Sequence, residues 1–213
     1  MKRFITFEGG DGTGKSTQIK ALEKYLAGRG RSFVITREPG AATSIGNWIR
    51  QALLDAKGTP LTPSTELFLY LADRAQHFAE VVAPALSAGD IVLCDRHADS
   101  TLAYQGYGRG IDIALLRRLN DMTTGGVKPD LTFLFDCPVS IGLARITERR
   151  MRLGASGSED RFEREKIEFH ERVRAGFLEL ARAEPARFRV VDASRGEKDV
   201  AQDIRSIIDS EVL

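Results

Sequence analysis

The 213-residue chain predicts an α/β fold, a central parallel five-stranded sheet covered by helices on both faces with a short lid, on three observations. Short apolar runs alternate with segments of helical periodicity, so successive strands need crossovers and pair in parallel. The runs end in polar or glycine-rich residues, and in such sheets ligands sit beyond the C-terminal ends of the strands. Between the first run and the first helical segment lies a loop dense in glycine. With 42% hydrophobic and 29% charged residues the composition is ordinary for a globular protein, and the length suits one domain spanning 1–213 rather than two.

The elements follow in order. Arg3 to Glu8 is a strand, and Thr17 to Ala27 carries apolar residues at helical spacing. Ser32 to Thr36 is a second strand, the turn Arg37-Glu38-Pro39-Gly40 follows, and Ile45, Trp48, Ile49, Ala52 and Leu53 form one stripe of a helix ending at Leu54. Thr62-Pro63-Ser64-Thr65-Glu66 opens a long helix, with proline in the first turn and a carboxylate near the positive end of the dipole. Leu67, Leu71, Ala75, Phe78, Val82 and Leu86 give it an apolar stripe. Ile91 to Leu93 leads to Asp95-Arg96 as a third strand, Leu131 to Phe135 leads to Asp136 as a fourth, and Arg189 to Val191 is a fifth. Gly106, Gly108 and Gly110 predict a flexible, non-helical stretch beside Thr101, Tyr104 and Gln105. At Arg149 to Arg161, RRMRLGASGSEDR, a basic helix end meets a Gly/Ser-rich loop, the composition of a hinged lid.

Charge and hydropathy exclude several partners. Lys plus Arg total 31 against 30 Asp plus Glu, a net charge of +1, so neither nucleic acid nor an anionic membrane is attracted over long range. The longest apolar stretches, such as LTFLF at 131–135, fall far short of a membrane span. The N-terminus MKRFITFEGG leaves no room for a signal-peptide apolar region, which predicts a cytoplasmic protein. Cys94 and Cys137 are too few for a disulfide framework or a tetrahedral metal site and read as reduced core residues.

Gly9-Gly10-Asp11-Gly12-Thr13-Gly14-Lys15-Ser16 matches GxxxxGKS between a strand and a helix, the phosphate-binding loop of a P-loop NTPase fold. The glycines let backbone N–H groups converge on phosphate oxygens, the helix N-terminus adds its positive dipole end, Lys15 bridges β- and γ-phosphates, and the Ser16 hydroxyl ligates Mg²⁺. A dinucleotide fold is the competitor, since Glu38 follows the second strand as a ribose-binding acid would. Its GxGxxG pattern fails at Lys15, where the third glycine belongs. A guanine-reading NKxD motif is absent, which disfavours a GTPase. A regulatory nucleotide-binding module would keep the loop without an acceptor site.

Residues for an acceptor are present. Tyr70 and Arg74, four apart, share one helix face and can offer a stacking ring and hydrogen-bond donors to a planar base. At the ligand edge, Asp95 can organise Mg²⁺ or the acceptor oxygen, Arg96 can grip a second phosphate, and Arg37 can reach the same anion.

GGDGTGKST, REPG, YLADRAQH, DRHADSTLAYQGYGRG and PDLTFLFDCP, in this order, resemble the thymidylate kinase family of bacterial type, a nucleoside monophosphate kinase. The resemblance implies transfer of the γ-phosphoryl group of ATP to dTMP, with Mg²⁺, in a homodimer for which the helix from Thr65 to Leu86 is the interface candidate. It implies an ATP site from Gly9 to Thr17 with Arg145 and the loop Asp192 to Gly196 flanking adenine. It implies that Tyr70 stacks on thymine, that Arg74 and Gln105 meet its polar edge with Thr101 nearby, that Tyr104 crowds the 2′ position, and that Arg37 and Arg96 grip the dTMP phosphate. It implies that Asp11 corresponds to the acidic residue that the family places near the acceptor 3′-hydroxyl and the bound cation or water. Eukaryotic-type members carry arginine where this chain has Gly12, so the resemblance implies that the catalytic cation comes from among Arg149, Arg150 and Arg152 of the lid. The family's REPGGT reads REPGAAT here, one residue longer, and Asn47 stands where an acidic residue is common. The lid is also longer than in compact bacterial relatives.

Overall fold

Residues Phe4–Gly9 are buried along their whole length, which requires the centre of a sheet covered on both faces. They form β1 in a computed structural model that describes residues 2–40, 43–54, 60–152, 162 and 165–213. The other strands are β2 (Phe33–Arg37), β3 (Ile91–Asp95), β4 (Leu131–Asp136) and β5 (Phe188–Asp192). The sheet has the order β2-β3-β1-β4-β5, and every pairing is parallel. Register aligns Arg37 with Asp95 and Asp136 with Asp192, so the strand-terminal polar residues gather on one edge.

Around the sheet lie α1 (Lys15–Ala27), α2 (Ser44–Leu54), α3 (Pro63–His77), α4 (Ala83–Ala88), α5 (Ala98–Thr101), α6 (Ile113–Thr124), α7 (Val139–Arg152), α8 (Ile167–Ala183) and α9 (Glu197–Glu211). The two-residue period of the strands sorts the core. Ile5, Phe7, Leu93 and Phe133 face Leu22 and Leu26 of α1 and Ile204 and Ile208 of α9. On the opposite face Phe4, Val92 and Cys94 meet Val82 and Ala85, and Leu134 meets Leu116 and Phe177. Each such Leu or Phe, fully buried, contributes roughly 1.5–3 kcal/mol.

Three sequence expectations change. The stripe on α2 divides, because Ile49 and Leu53 are buried while Ile45 and Trp48 are 45% and 61% exposed. The long helix starts as predicted, with Thr65 N–H donating to Thr62 Oγ1 at 3.2 Å and Pro63 in its first turn, but its buried face turns polar after Leu71. Asp73, Arg74 and His77 are buried and Ala75 is exposed. A π-helical turn at Phe78–Val82 then rotates the face, so that Val82 and Ala85 rejoin the core. The third change is at Gly106 and Gly108, which lie in a π-helical turn, Leu102–Gly108, continuing α5, and not in a non-helical stretch. A Cβ on Gly106 would sit 2.4 Å from Ile113 Cδ1 and one on Gly108 2.6 Å from Phe169 Cε2, so these glycines serve close helix packing. Ala41 and Ala42 of REPGAAT and lid residues 153–161 lie outside the described residues.

The phosphate loop and α7 meet backbone to backbone. A Cβ on Gly142 would lie 2.5 Å from Asp11 O, and one on Gly12 2.1 Å from Gly142 O. No side chain fits at position 12 while α7 keeps this position, which gives a packing reason for glycine there. Gly142→Ala is therefore expected to cost about 1–3 kcal/mol and to weaken nucleotide binding through displacement of the loop. Chemical denaturation and nucleotide titration check this, and a variant matching the unsubstituted protein in both would contradict it.

Candidate active site

The chain after β1 turns through Gly9, Gly12 and Gly14 at φ of 132°, 73° and 90°, conformations open to glycine and strained for other residues. Lys15 folds back over the loop, its Nζ donating to Gly10 O at 2.7 Å and Gly9 O at 3.1 Å. Burial and the neighbouring Arg96 charge push the Lys15 ammonium down to about 8. Ser16, in the first turn of α1, donates its hydroxyl to Asp95 Oδ2 at 2.8 Å, so the two predicted metal-site residues stand together where α1 begins and β3 ends. Thr17 follows on the exposed side of the same turn.

Arg96 adopts φ 67°, a left-handed conformation that costs roughly 1–2 kcal/mol outside glycine. Its amide donates to Phe7 O at 3.0 Å, and the next amide, of His97, donates to Glu8 Oε1 at 2.8 Å. Ser100 Oγ lies 2.5 Å from the other Glu8 oxygen, and burial together with the Asp99 charge raises the Glu8 carboxyl to about 8. The turn aims the guanidinium across the loop, where it donates to Gly9 O at 2.9 Å and Asp11 Oδ1 at 2.6 Å. Tyr104 lies beneath it, with its ring centroid 5.0 Å from the Arg96 Cζ and its hydroxyl donating to Asp11 Oδ2 at 2.9 Å. Burial alone would raise the Asp11 carboxyl, but Arg96 and Lys15 outweigh it and hold it below its ordinary value.

Arg96 forms one wall of a cleft of about 280 Å³. Lys15, Ser16 and Asp95 line it, and so do all seven predicted acceptor residues: Arg37, Tyr70, Arg74, Arg96, Thr101, Tyr104 and Gln105. Arg149 of α7 is the lid arginine on its border, whereas Arg150 and Arg152 do not line it. Arg145 lies apart, donating to Ala193 O at 2.8 Å and Ser194 O at 3.4 Å, which joins it to the loop after β5 with which it was paired in the sequence.

Several site residues escaped the sequence reading. Glu38, buried in the wall of the cleft, accepts from Arg74 Nε at 2.9 Å and His77 Nδ1 at 2.8 Å, so it orients Arg74 rather than a ribose. Burial opposes its ionisation, yet Arg74 and His97 lead the groups that hold it at about 2. Arg74 also donates to Asn120 Oδ1 at 2.6 Å and Thr101 Oγ1 at 2.9 Å. His97 lines the cleft as a neutral ring, brought down to about 4 by burial. Phe162 closes the cleft on the lid side, edge-on to Tyr104 at 5.5 Å. The sequence carried one usable signal: an Arg in YLADRAQH at a position the helix buries needs an acidic partner, and REPG supplies it.

This constellation has counterparts of known family. A family profile described as thymidylate kinase matches residues 7–204. The chain belongs to the thymidylate kinase family. It is 53% identical over 207 residues to the thymidylate kinase of Desulfovibrio desulfuricans, covering 97% of this chain and 95% of that one. It is 51% identical over 208 residues to that of Geobacter sulfurreducens, covering 98% and 97%. The crystal structure of thymidylate kinase from Ehrlichia chaffeensis superposes with a TM-score of 0.75 at 34% identity, covering 97% of this chain and 98% of that one.

Two outcomes follow from the electrostatics of this thymidylate kinase site. Phosphates beside Lys15 raise its depressed pKa, so nucleoside triphosphate binding at a pH of about 9 takes up a proton. Titration calorimetry at about pH 9 in two buffers of different ionisation enthalpy, where the phosphates are already fully ionised, reads this uptake as a buffer-dependent heat; equal heats there would contradict it. Glu38→Gln leaves the Arg74 guanidinium buried without its countercharge and is expected to cost about 3–5 kcal/mol in denaturant unfolding, against under 1 kcal/mol if the pair is dispensable.

Proposed function

We propose that the protein transfers the γ-phosphoryl group of ATP to dTMP, giving dTDP, and that it does so within one kinase domain whose lid begins at the end of α7. The observation that carries this reading is the single cleft lined both by Lys15, Ser16 and Asp95 and by Arg96, Tyr70, Arg74 and Gln105. A triphosphate on the loop and a nucleoside monophosphate in the cleft would bring their phosphates together beside Arg96.

In this reading the protein positions and neutralises, and the transfer needs little covalent chemistry from it. Backbone N–H groups of Gly12 to Ser16 and Lys15 Nζ hold the donor phosphates. Arg96 leaves Asp11 for the acceptor phosphate, assisted by Arg37, and an oxygen of that phosphate attacks in line. Arg149, on the lid side, compensates charge on the transferred group. Tyr70 stacks on the base while Tyr104 borders the sugar. Lid closure over the cleft excludes water that would otherwise hydrolyse ATP.

A hydroxyl and a carboxylate suit a hard divalent cation that takes its remaining oxygens from phosphate and water. Ser16 Oγ and Asp95 Oδ2, already 2.8 Å apart, fit Mg²⁺ and would hold it. When bound, Mg²⁺ neutralises the β- and γ-phosphate oxygens. Arg145 and the Ala193–Ser194 backbone form the proposed adenine side.

A homodimer through the face of α2 and α3 is part of the proposal. Trp48 and Phe68, 61% and 62% exposed, support it as large apolar groups on adjacent helices. Among the described residues no helix is long and apolar enough to cross a membrane; a cytoplasmic setting is part of the proposal.

An ADP-release assay over a panel of monophosphates tests the reading. Strong release with dTMP is expected, with a loss of about a hundredfold or more in kcat/KM for Lys15→Ala or Arg96→Ala in folded protein. Release independent of any acceptor, preference for another monophosphate, or near-normal turnover in either variant would overturn it.

A further inference from the structure

Glu66 sits behind the cleft wall, only 1% exposed, at a spacing of four from Tyr70 and eight from Arg74, on the same face of α3. The sequence reading assigned it to the helix dipole, and it does occupy the first turn. Its contacts point elsewhere. Gln105 Nε2 donates to Glu66 Oε1 at 2.7 Å, and Arg109 donates to both oxygens, Nε to Oε1 at 3.3 Å and NH2 to Oε2 at 3.2 Å. With both oxygens accepting N–H bonds, the carboxylate offers Gln105 nothing but an acceptor. The amide nitrogen of Gln105 must therefore face Glu66, and its carbonyl Oε1 is left for the cleft that the residue lines. Among the described residues no donor bonds to that oxygen.

Arg74 is held in the complementary sense. Glu38, Asn120 and Thr101 take one N–H from each of its three nitrogens, so what remains for a ligand is donor only. The wall thus presents one donor and one acceptor of fixed polarity.

We propose that Glu66 is a specificity-determining positioning residue: it locks the Gln105 carbonyl toward the base, so that the acceptor site takes a pyrimidine with a 4-keto group and a protonated N3 and refuses a 4-amino pyrimidine. This rests on the dTMP reading of the cleft. Thymine and uracil offer an acceptor at O4 and a donor at N3, matching Arg74 and Gln105. Cytosine offers a donor at N4 and an acceptor at N3, so both contacts oppose like with like and leave buried polar groups unpaired. A glutamine free to turn would give cytosine N3 its NH2 and remove half of the mismatch. The pair is blind to the 5-methyl group, so it does not separate dTMP from dUMP.

The test is steady-state kinetics of the full chain with ATP and dTMP, dUMP or dCMP. Glu66→Gln, isosteric but able to present either end of its amide, is expected to lower the dTMP:dCMP ratio of kcat/KM by about tenfold or more. The dTMP:dUMP ratio should stay within about twofold, because both bases present the same edge. Arg109→Ala removes the ion pair but keeps an acceptor at position 66, and should hold the dTMP:dCMP ratio even if every rate falls. An unchanged dTMP:dCMP ratio in Glu66→Gln, or an equal loss in Arg109→Ala, overturns the proposal. An enzyme without dTMP activity would overturn the acceptor reading instead. If Glu66→Gln does not fold, NMR of the unsubstituted protein decides. The Gln105 side-chain amide protons should exchange slowly and keep their shifts when dTMP is added, whereas a large shift would mean that the NH2 group meets the base and that the lock is wrong.

Discussion

The left-handed turn at Arg96 is the constraint on which the cleft depends. A residue with a Cβ holds this conformation only when its surroundings over-determine it. Here the Phe7 carbonyl and the Glu8 carboxyl fix the backbone on either side, and Gly9, Asp11 and Tyr104 fix the guanidinium. Phe7, Glu8, Gly9 and Asp11 belong to β1 and the phosphate loop and Tyr104 to the helical turn after α5, so one side chain ties the phosphate loop to the cleft wall that Tyr104 forms. Burial raises the Glu8 carboxyl, while Asp11 is ion-paired with the Arg96 guanidinium at 2.6 Å and the Asp95 charge also acts on it. A phosphate that takes the Arg96 guanidinium has the partly buried Asp11 carboxylate to displace from it.

The second organising feature is the polar underside of the cleft wall that carries Tyr70 and Arg74. A helix facing a sheet normally buries an apolar stripe, but α3 buries Glu66, Asp73, Arg74 and His77 beside Leu67 and Leu71. Each buried cation or amide has an acceptor: Arg74 has Glu38, and Gln105 has Glu66. A near-zero net charge therefore conceals a division of labour. Cations line the cleft while several of the carboxylates that hold them in place lie beneath its surface.

The sequence made the sheet and the phosphate loop legible because both leave local marks. Strands buried on two faces read as apolar runs, and the positive φ values of Gly12 and Gly14 demand the residues that GxxxxGKS specifies. Tyr70 and Arg74 were legible through helical spacing, and the structure brings them to one cleft with Arg96. Glu8, Glu38, Glu66 and Asn120 were not, since a single sequence does not distinguish a buried carboxylate or amide bound to a distant partner from a solvated one. Gly106 and Gly108 were misread because glycine marks both chain flexibility and close approach, and only the facing Ile113 and Phe169 side chains decide between them. The stripe on α2 failed for a related reason: Ile45 and Trp48 have apolar periodicity, but among the described residues no neighbour buries them.

The claim that Arg96 is shared between donor and acceptor is tested most directly by a crystal structure with dTMP and a non-hydrolysable ATP analogue bound together. The account predicts that residue 96 keeps its positive φ while its guanidinium exchanges the Asp11 carboxylate for the dTMP phosphate, within hydrogen-bond distance and facing the γ-phosphate on Lys15. A dTMP phosphate bound away from Arg96, with the Arg96–Asp11 pair intact, would contradict it.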